Sequence, residues 1–120
     1  MADFNEKRKN PRANVAFRIN YKELNGKSYI AKGALAQNLS VGGVKFVSED
    51  FVSPGRHLFL EMRLPLLAEP VSMLSRVAWI RKSSVREGYE AGNQFLAMMN
   101  QDSKFLSEFI NKILTTGKLI

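Results

Sequence analysis

The chain has 120 residues, 45% of them hydrophobic and 24% charged, a composition typical of one folded domain rather than of a disordered segment. The absence of cysteine and the single histidine exclude disulfide frameworks, thiolate metal sites and multi-histidine zinc sites. The formal net charge of +7 predicts an anionic partner, for which nucleic acid, a nucleotide, an acidic protein and an anionic membrane surface all qualify.

Residues 1–12 are predicted to form a flexible basic arm. The stretch "EKRKNPR" places four cationic side chains in seven positions ahead of the first predicted strand, and its proline disfavours helix at the residue before it. The segment lacks the apolar region of a signal peptide. No later apolar run approaches the ~20 residues of a membrane-spanning helix. We therefore expect a cytoplasmic protein without a membrane span.

Six strands are predicted after the arm. Residues 14–21 alternate apolar and polar side chains with the period of two that a half-buried strand requires, and Asn25-Gly26 is a hairpin signal. The other predicted strands are residues 28–37, 44–48, 58–64, 71–83 and 89–99. Consecutive strands with short connections favour antiparallel pairing.

The strand pattern ends near residue 100, and a helix is predicted at about residues 102–116. Its apolar residues recur at helical spacing: Phe105, Leu106, Phe109, Ile110, Ile113 and Leu114. Asp102 or Ser103 can cap its start and Gly117 its end. Because this apolar face must be buried, we predict an all-β fold for residues 13–120, a six-stranded antiparallel β-barrel whose mouth or wall is covered by the C-terminal α-helix.

Two short motifs carry a resemblance to a known family. Arg8 and Arg12 form RxxxR in the arm, and Asn38, Ser40 and Gly43 form NxSxxG at a turn between two predicted strands. With the downstream "RVAWIR", "GNQF" and terminal helix, residues 6–115 resemble the PilZ domain family. The resemblance implies a β-barrel receptor for the bacterial second messenger cyclic di-GMP.

The residues of the two motifs suit this ligand, which presents two phosphates and two guanine bases. The guanidinium forks of Arg8 and Arg12 match either a guanine edge or a phosphate. The Asn38 amide can accept from guanine and donate elsewhere. Ser40 can donate to a phosphate or to a backbone group of the turn. Gly43 lets the backbone approach the ligand or take a positive φ.

Two further residues are predicted to contact the ligand. Lys7 stands before RxxxR, where the resemblance implies that an arginine accompanies an intercalated pair of ligand molecules. With lysine at this position, the sequence leaves open whether one or two ligand molecules bind per chain. By strand alternation Trp79 shares one face with Val77 and Arg81, so it either stacks on a guanine or fills the barrel. The first residue of the second motif, often acidic in the family, is Asn38.

The leading prediction is a single-domain receptor and adapter that signals to a separate, unidentified protein. One alternative is a PilZ domain that binds proteins without the ligand. Another is a basic barrel that binds single-stranded nucleic acid, which requires exposed aromatic residues on a sheet face. Because the phenylalanines and tyrosines mostly alternate inward, DNA and RNA are not expected partners. An enzyme, a metal or a further cofactor is not expected, since one histidine and no cysteine assemble no catalytic pair or metal cluster.

Overall fold

A computed structural model describes residues 11–24, 31–65 and 67–116, which form a closed antiparallel barrel followed by one helix. The elements are β1 (Ala13–Glu23), β2 (Lys32–Ser40), β3 (Gly43–Ser48), β4 (His57–Met62), β5 (Val71–Lys82), β6 (Tyr89–Met98) and α1 (Asn100–Thr116). The strand order around the barrel is β1-β2-β3-β6-β5-β4, and pairing of β1 with β4 closes it. The predicted all-β fold with six antiparallel strands and a C-terminal helix is confirmed.

Alternation along the strands separates the barrel interior from its outer surface. In β4 the fully buried Leu58, Leu60 and Met62 alternate with three exposed residues. Because the period is two and the sheet is closed, each strand has one face in the core and one towards solvent. In β3 the completely buried Phe46 stacks on Tyr21 of β1, with ring centroids 5.3 Å apart. Burial raises the pKa of the Tyr21 phenol.

Helix α1 covers one end of the barrel. Its buried residues Leu106, Ile110 and Ile113 belong to the same core as the inward side chains of the strands. Phe109 packs edge-on against Phe17 of β1, with ring centroids 6.1 Å apart. The helix contacts β1, β2 and β5. Since β2 and β5 are not neighbours in the barrel, a helix that contacts both crosses the barrel end rather than following one wall.

The predicted cap at the start of the helix is wrong. Helix α1 begins at Asn100, and the Ser103 amide donates to the Met99 carbonyl at 2.9 Å. The Asp102 carboxylate accepts a hydrogen bond from the Ser72 amide of β5 at 3.2 Å. Asp102 therefore attaches the first turn of the helix to the barrel instead of capping it.

Some sequence predictions concern residues outside the described ranges. These are most of the basic arm, the hairpin signal Asn25-Gly26 and the helix cap Gly117. The division into an arm of residues 1–12 and a barrel domain of residues 13–120 stays a prediction. Within the described ranges, no helix has both the length and the apolar character that crossing a membrane requires.

Substitution of Phe46 by alanine is expected to lower the free energy of unfolding by about 3–5 kcal/mol, because it removes a completely buried ring and its stacking on Tyr21. Urea denaturation followed by circular dichroism measures the change. Val85→Ala is the control, since Val85 is 76% exposed. A loss for Phe46→Ala no larger than that of the control would contradict the position of Phe46 in the core.

Candidate functional site

A row of residues crosses four neighbouring strands on the outer surface of the barrel. Asn38 of β2 pairs with Lys45 of β3. Lys45 also pairs with Gly92 of β6, which in turn pairs with Trp79 of β5. Residues directly opposite each other in antiparallel strands project on the same face of the sheet. The register therefore aligns Asn38, Lys45 and Trp79 on one face, with only a glycine between the last two.

A cleft with a volume of ≈ 270 Å³ lies along this row. Five of the seven predicted site residues line it: Arg12, Asn38, Ser40, Gly43 and Trp79. The other two, Lys7 and Arg8, lie outside the described residues. The fold thus brings Arg12, the second arginine of RxxxR, to the NxSxxG turn, although β1 and most of β2 separate the two motifs in the sequence.

Further lining residues are absent from the predicted set, among them Lys45, Gly92, Asn93 and Gln94. Lys45 follows Gly43 by two residues, and strand alternation after the turn could have identified it. The others belong to the "GNQF" stretch, which contributes to the resemblance but was not predicted to contact the ligand. Lys45 adds a second cation to Arg12, and the described lining contains neither Asp nor Glu, so the cleft favours an anion.

The Ser40 side chain holds the turn between β2 and β3. Its Oγ accepts a hydrogen bond from the Gly42 amide at 3.1 Å and donates one to the Gly43 carbonyl at 3.5 Å. The residue is only 6% exposed. The bond to the Gly43 carbonyl is long, so redirecting the hydroxyl hydrogen to an anion costs little. The backbone role predicted for Ser40 is present and leaves the hydroxyl able to donate.

Gly43 permits the close approach of β3 to β6. A Cβ at this position would overlap the backbone carbonyl of Asn93. The glycines with positive φ in the described chain are Gly55 and Gly88, so a positive φ, one of the two roles that the sequence left open for Gly43, does not occur. The requirement for glycine comes from the neighbouring strand, whose backbone occupies the space that a side chain would need.

A β-bulge turns Trp79 out of the barrel. Alternation alone would place it on the face of Val77, but the pairing of β5 with β6 shifts register between these two residues. Val77 is 1% exposed, whereas Trp79 is 36% exposed. The interpretation that Trp79 fills the barrel interior is therefore wrong, and so is its predicted shared face with Val77.

The Trp79 ring is held against the outer surface from two sides. A Cβ at Gly92 would overlap the indole, so the ring lies across the backbone of β6. The Arg81 guanidinium lies 5.2 Å from the ring centroid, a cation–π contact. Arg81 Nε in turn donates to the Glu90 carboxylate at 2.8 Å. This arrangement provides a fixed aromatic surface at the edge of the cleft.

No metal site accompanies the cleft in the described part of the chain. Residues 11–24, 31–65 and 67–116 contain no group of three or more His, Asp or Glu side chains that could hold a metal ion. The polar and aromatic side chains that line the cleft comprise two cations, three amides, a hydroxyl and an indole ring.

The family model of the PilZ domain matches residues 6–112. This match covers most of the chain, which therefore belongs to the PilZ domain family, as the two motifs and the strand pattern predict. Comparison with curated proteins finds no match.

Solved structures share the barrel at low sequence identity. The inhibitor of motility MotI/DgrA of Bacillus subtilis aligns with a TM-score of 0.76 at 19% identity, over 94% of this chain and 53% of that chain. The PilZ domain of YcgR from Escherichia coli, solved with c-di-GMP, aligns with a TM-score of 0.69 at 13% identity, over 93% and 95%. The MrkH–c-di-GMP complex of K. pneumoniae aligns with a TM-score of 0.73 at 12% identity, over 93% and 54%. The chain spans about half the length of MotI/DgrA and of MrkH.

Substitution of Gly92 by valine is expected to displace the Trp79 ring, because the added side chain would occupy the space of the indole. Trp79 is the single tryptophan, so its fluorescence reports the change directly. We expect a red-shifted emission and stronger quenching by acrylamide. Gly33→Ala is the control, since its Cβ would meet only the end of the flexible Arg18 side chain. Unaltered emission and quenching in Gly92→Val would mean that the ring does not lie on β6.

Proposed function

We propose that the chain is a cytoplasmic receptor domain for cyclic di-GMP that signals to a separate partner protein and has no enzymatic activity of its own. The observation that carries this proposal is the common cleft of the two motifs. Arg12 of RxxxR lines it together with Asn38, Ser40 and Gly43 of NxSxxG. Structural neighbours solved with c-di-GMP, the YcgR PilZ domain and MrkH, support the same ligand for this barrel.

The donors of the cleft match the acceptors of the ligand. The Arg12 guanidinium presents a planar fork that fits guanine O6 and N7 or two phosphate oxygens. The Lys45 ammonium is a point charge that suits a phosphate better than a base edge. The Asn38 amide can accept from the guanine N–H groups. Trp79 offers its ring to a guanine, and base–aromatic stacking contributes about 1–3 kcal/mol per base.

The cleft alone encloses only part of a ligand of this size. Its volume of ≈ 270 Å³ falls at the lower limit of small-molecule sites, which enclose roughly 300–1,000 Å³. The chain enters the cleft at Arg12, so the preceding residues are the nearest source of a second wall. We infer that Lys7 and Arg8 bind the side of the ligand that the barrel leaves uncovered. Holding the arm there costs roughly 1–2 kcal/mol per residue fixed, which the charge-assisted contacts offset.

Removal of either motif arginine is expected to weaken binding more than tenfold. Arg8→Ala and Arg12→Ala should each reduce the free energy of ligand binding by about 1.5–3 kcal/mol, because each removes a charge-assisted hydrogen bond. Isothermal titration with cyclic di-GMP measures this, and circular dichroism checks the fold. Arg86→Ala is the matched control, since it removes an arginine outside the cleft.

The same titration decides between the proposed ligand and the alternatives. Wild-type affinity in the Arg8→Ala/Arg12→Ala double variant would contradict the site. Tighter binding of an oligonucleotide of equal charge would favour the nucleic-acid alternative. Absence of binding to either ligand would favour a PilZ domain that binds only proteins.

The residue before RxxxR is expected to set how the ligand is held. Lys7 keeps the positive charge of an arginine but lacks its planar group, so we expect a pair of ligand molecules held less tightly than an arginine would hold them. Titration should give two ligands per chain, with higher affinity in Lys7→Arg. One ligand per chain in the wild-type protein would contradict this expectation, and Lys7→Arg should then raise the number.

A further inference from the structure

Exposed apolar residues and the half-buried Leu74 form a strip on the outer surface beside the cleft. Phe59 of β4 pairs with Leu74 of β5, which pairs with Ala97 of β6. Leu96 is the extra residue where this ladder shifts register, and it is 44% exposed while Phe59 is 39% exposed. Val41, in the turn after β2, is also exposed. These five residues, Val41, Phe59, Leu74, Leu96 and Ala97, are the apolar strip.

The apolar strip begins in the turn of the NxSxxG motif. The Phe95 amide donates to the Gly42 carbonyl at 2.9 Å, which attaches the turn to β6 just before Leu96. From there the strip continues across β5 to β4. Single exposed apolar residues are common on any protein surface, whereas a contiguous group on one sheet face marks an interaction site.

Two cationic side chains border the apolar strip. Lys22 of β1 lies directly opposite Phe59, and Arg76 lies opposite His57 in the next outer row. Within residues 11–24, 31–65 and 67–116, neither Lys22 nor Arg76 forms an ion pair. The carboxylate of β4, Glu61, lies in the outer row on the other side of Phe59, away from Arg76.

This combination fits a partner of complementary character. Apolar side chains can be buried on the strip while Asp or Glu carboxylates meet Lys22 and Arg76. A second copy of the chain fits less well, because it would bring together two molecules of net charge +7 with the same cationic border. We propose that the apolar strip docks a separate protein through a segment that carries apolar side chains next to Asp or Glu. This proposal rests on the proposed function, which requires a partner.

The structure also connects the apolar strip to the cleft. Gln94 lines the cleft, and its side-chain oxygen accepts a hydrogen bond from Arg76 Nη2 at 3.2 Å. A ligand group that donates a hydrogen bond to this oxygen competes with Arg76 and releases the guanidinium for a carboxylate of the partner. By linkage, a partner that holds Arg76 raises the affinity of the cleft by the same factor.

Selection of binding peptides tests the proposal without a known partner. A phage-displayed library of random twelve-residue peptides is panned on the whole chain, with and without saturating cyclic di-GMP. The selected peptides should be enriched in Asp and Glu next to large apolar residues. Synthetic versions should bind Phe59→Ser, Leu96→Ser and Arg76→Glu at least tenfold more weakly than the wild-type chain. Val85→Ser and Arg86→Glu are the matched controls and should bind as the wild type does.

Parallel titration with cyclic di-GMP separates this proposal from the proposed function. Phe59→Ser and Leu96→Ser should keep wild-type affinity for the ligand, because neither residue lines the cleft. A chain that selects acidic peptides but binds no cyclic di-GMP would contradict the proposed function and still support the docking surface. The docking surface would be overturned if no peptides are selected or if the selected peptides lack acidic enrichment. It would also be overturned if the peptides bind the strip variants as tightly as the wild type. A concentration-dependent dimer in sedimentation equilibrium that Leu96→Ser abolishes would assign the strip to self-association and also overturn it.

Discussion

Pairing of β1 with β4 closes the sheet, and the arrangement of the whole surface depends on this closure. A closed sheet has no free edge and only two faces, so the register of each strand decides which side chains enter the core and which face solvent. The cleft and the apolar strip lie on the same outer wall. A slip of one residue in the pairing of β5 with β6 would exchange the two faces of one of these strands and send the side chains that this strand contributes to the cleft and the apolar strip into the core.

Two register shifts between β5 and β6 adapt this wall to its proposed role. One shift follows Leu74 and leaves Leu96 on the outside, and the other follows Val77 and turns Trp79 outward. Each inserts an extra residue, which changes the face of every residue that follows. The outward positions of Trp79 in the cleft and of Leu96 in the apolar strip thus both arise where the ladder departs from regular pairing.

The fold could be predicted because its signals are local: a period of two in six segments, a helical period in one, and polar connections between them. The motif residues of the cleft were predictable for a similar reason, since they stand close together in two short stretches. The outward direction of Trp79 was not, because a bulge depends on the partner strand and leaves no mark in the sequence of β5. Gly92 has its role only once β6 pairs with β5, and Asp102 accepts a hydrogen bond from β5 that only the folded chain makes possible.

A single residue connects β6 to α1, since the strand ends at Met98 and the helix begins at Asn100. No loop is present to absorb a displacement, so an axial shift of β6 also moves the first turn of the helix. The hydrogen bond from the Ser72 amide to Asp102 attaches the same turn of the helix to β5, the strand that pairs with β6. The strands that form the wall of the cleft and the helix that covers the barrel end are thus rigidly connected. The position of the helix surface is therefore tied to the position of the strand that carries Gln94, although the helix does not line the cleft.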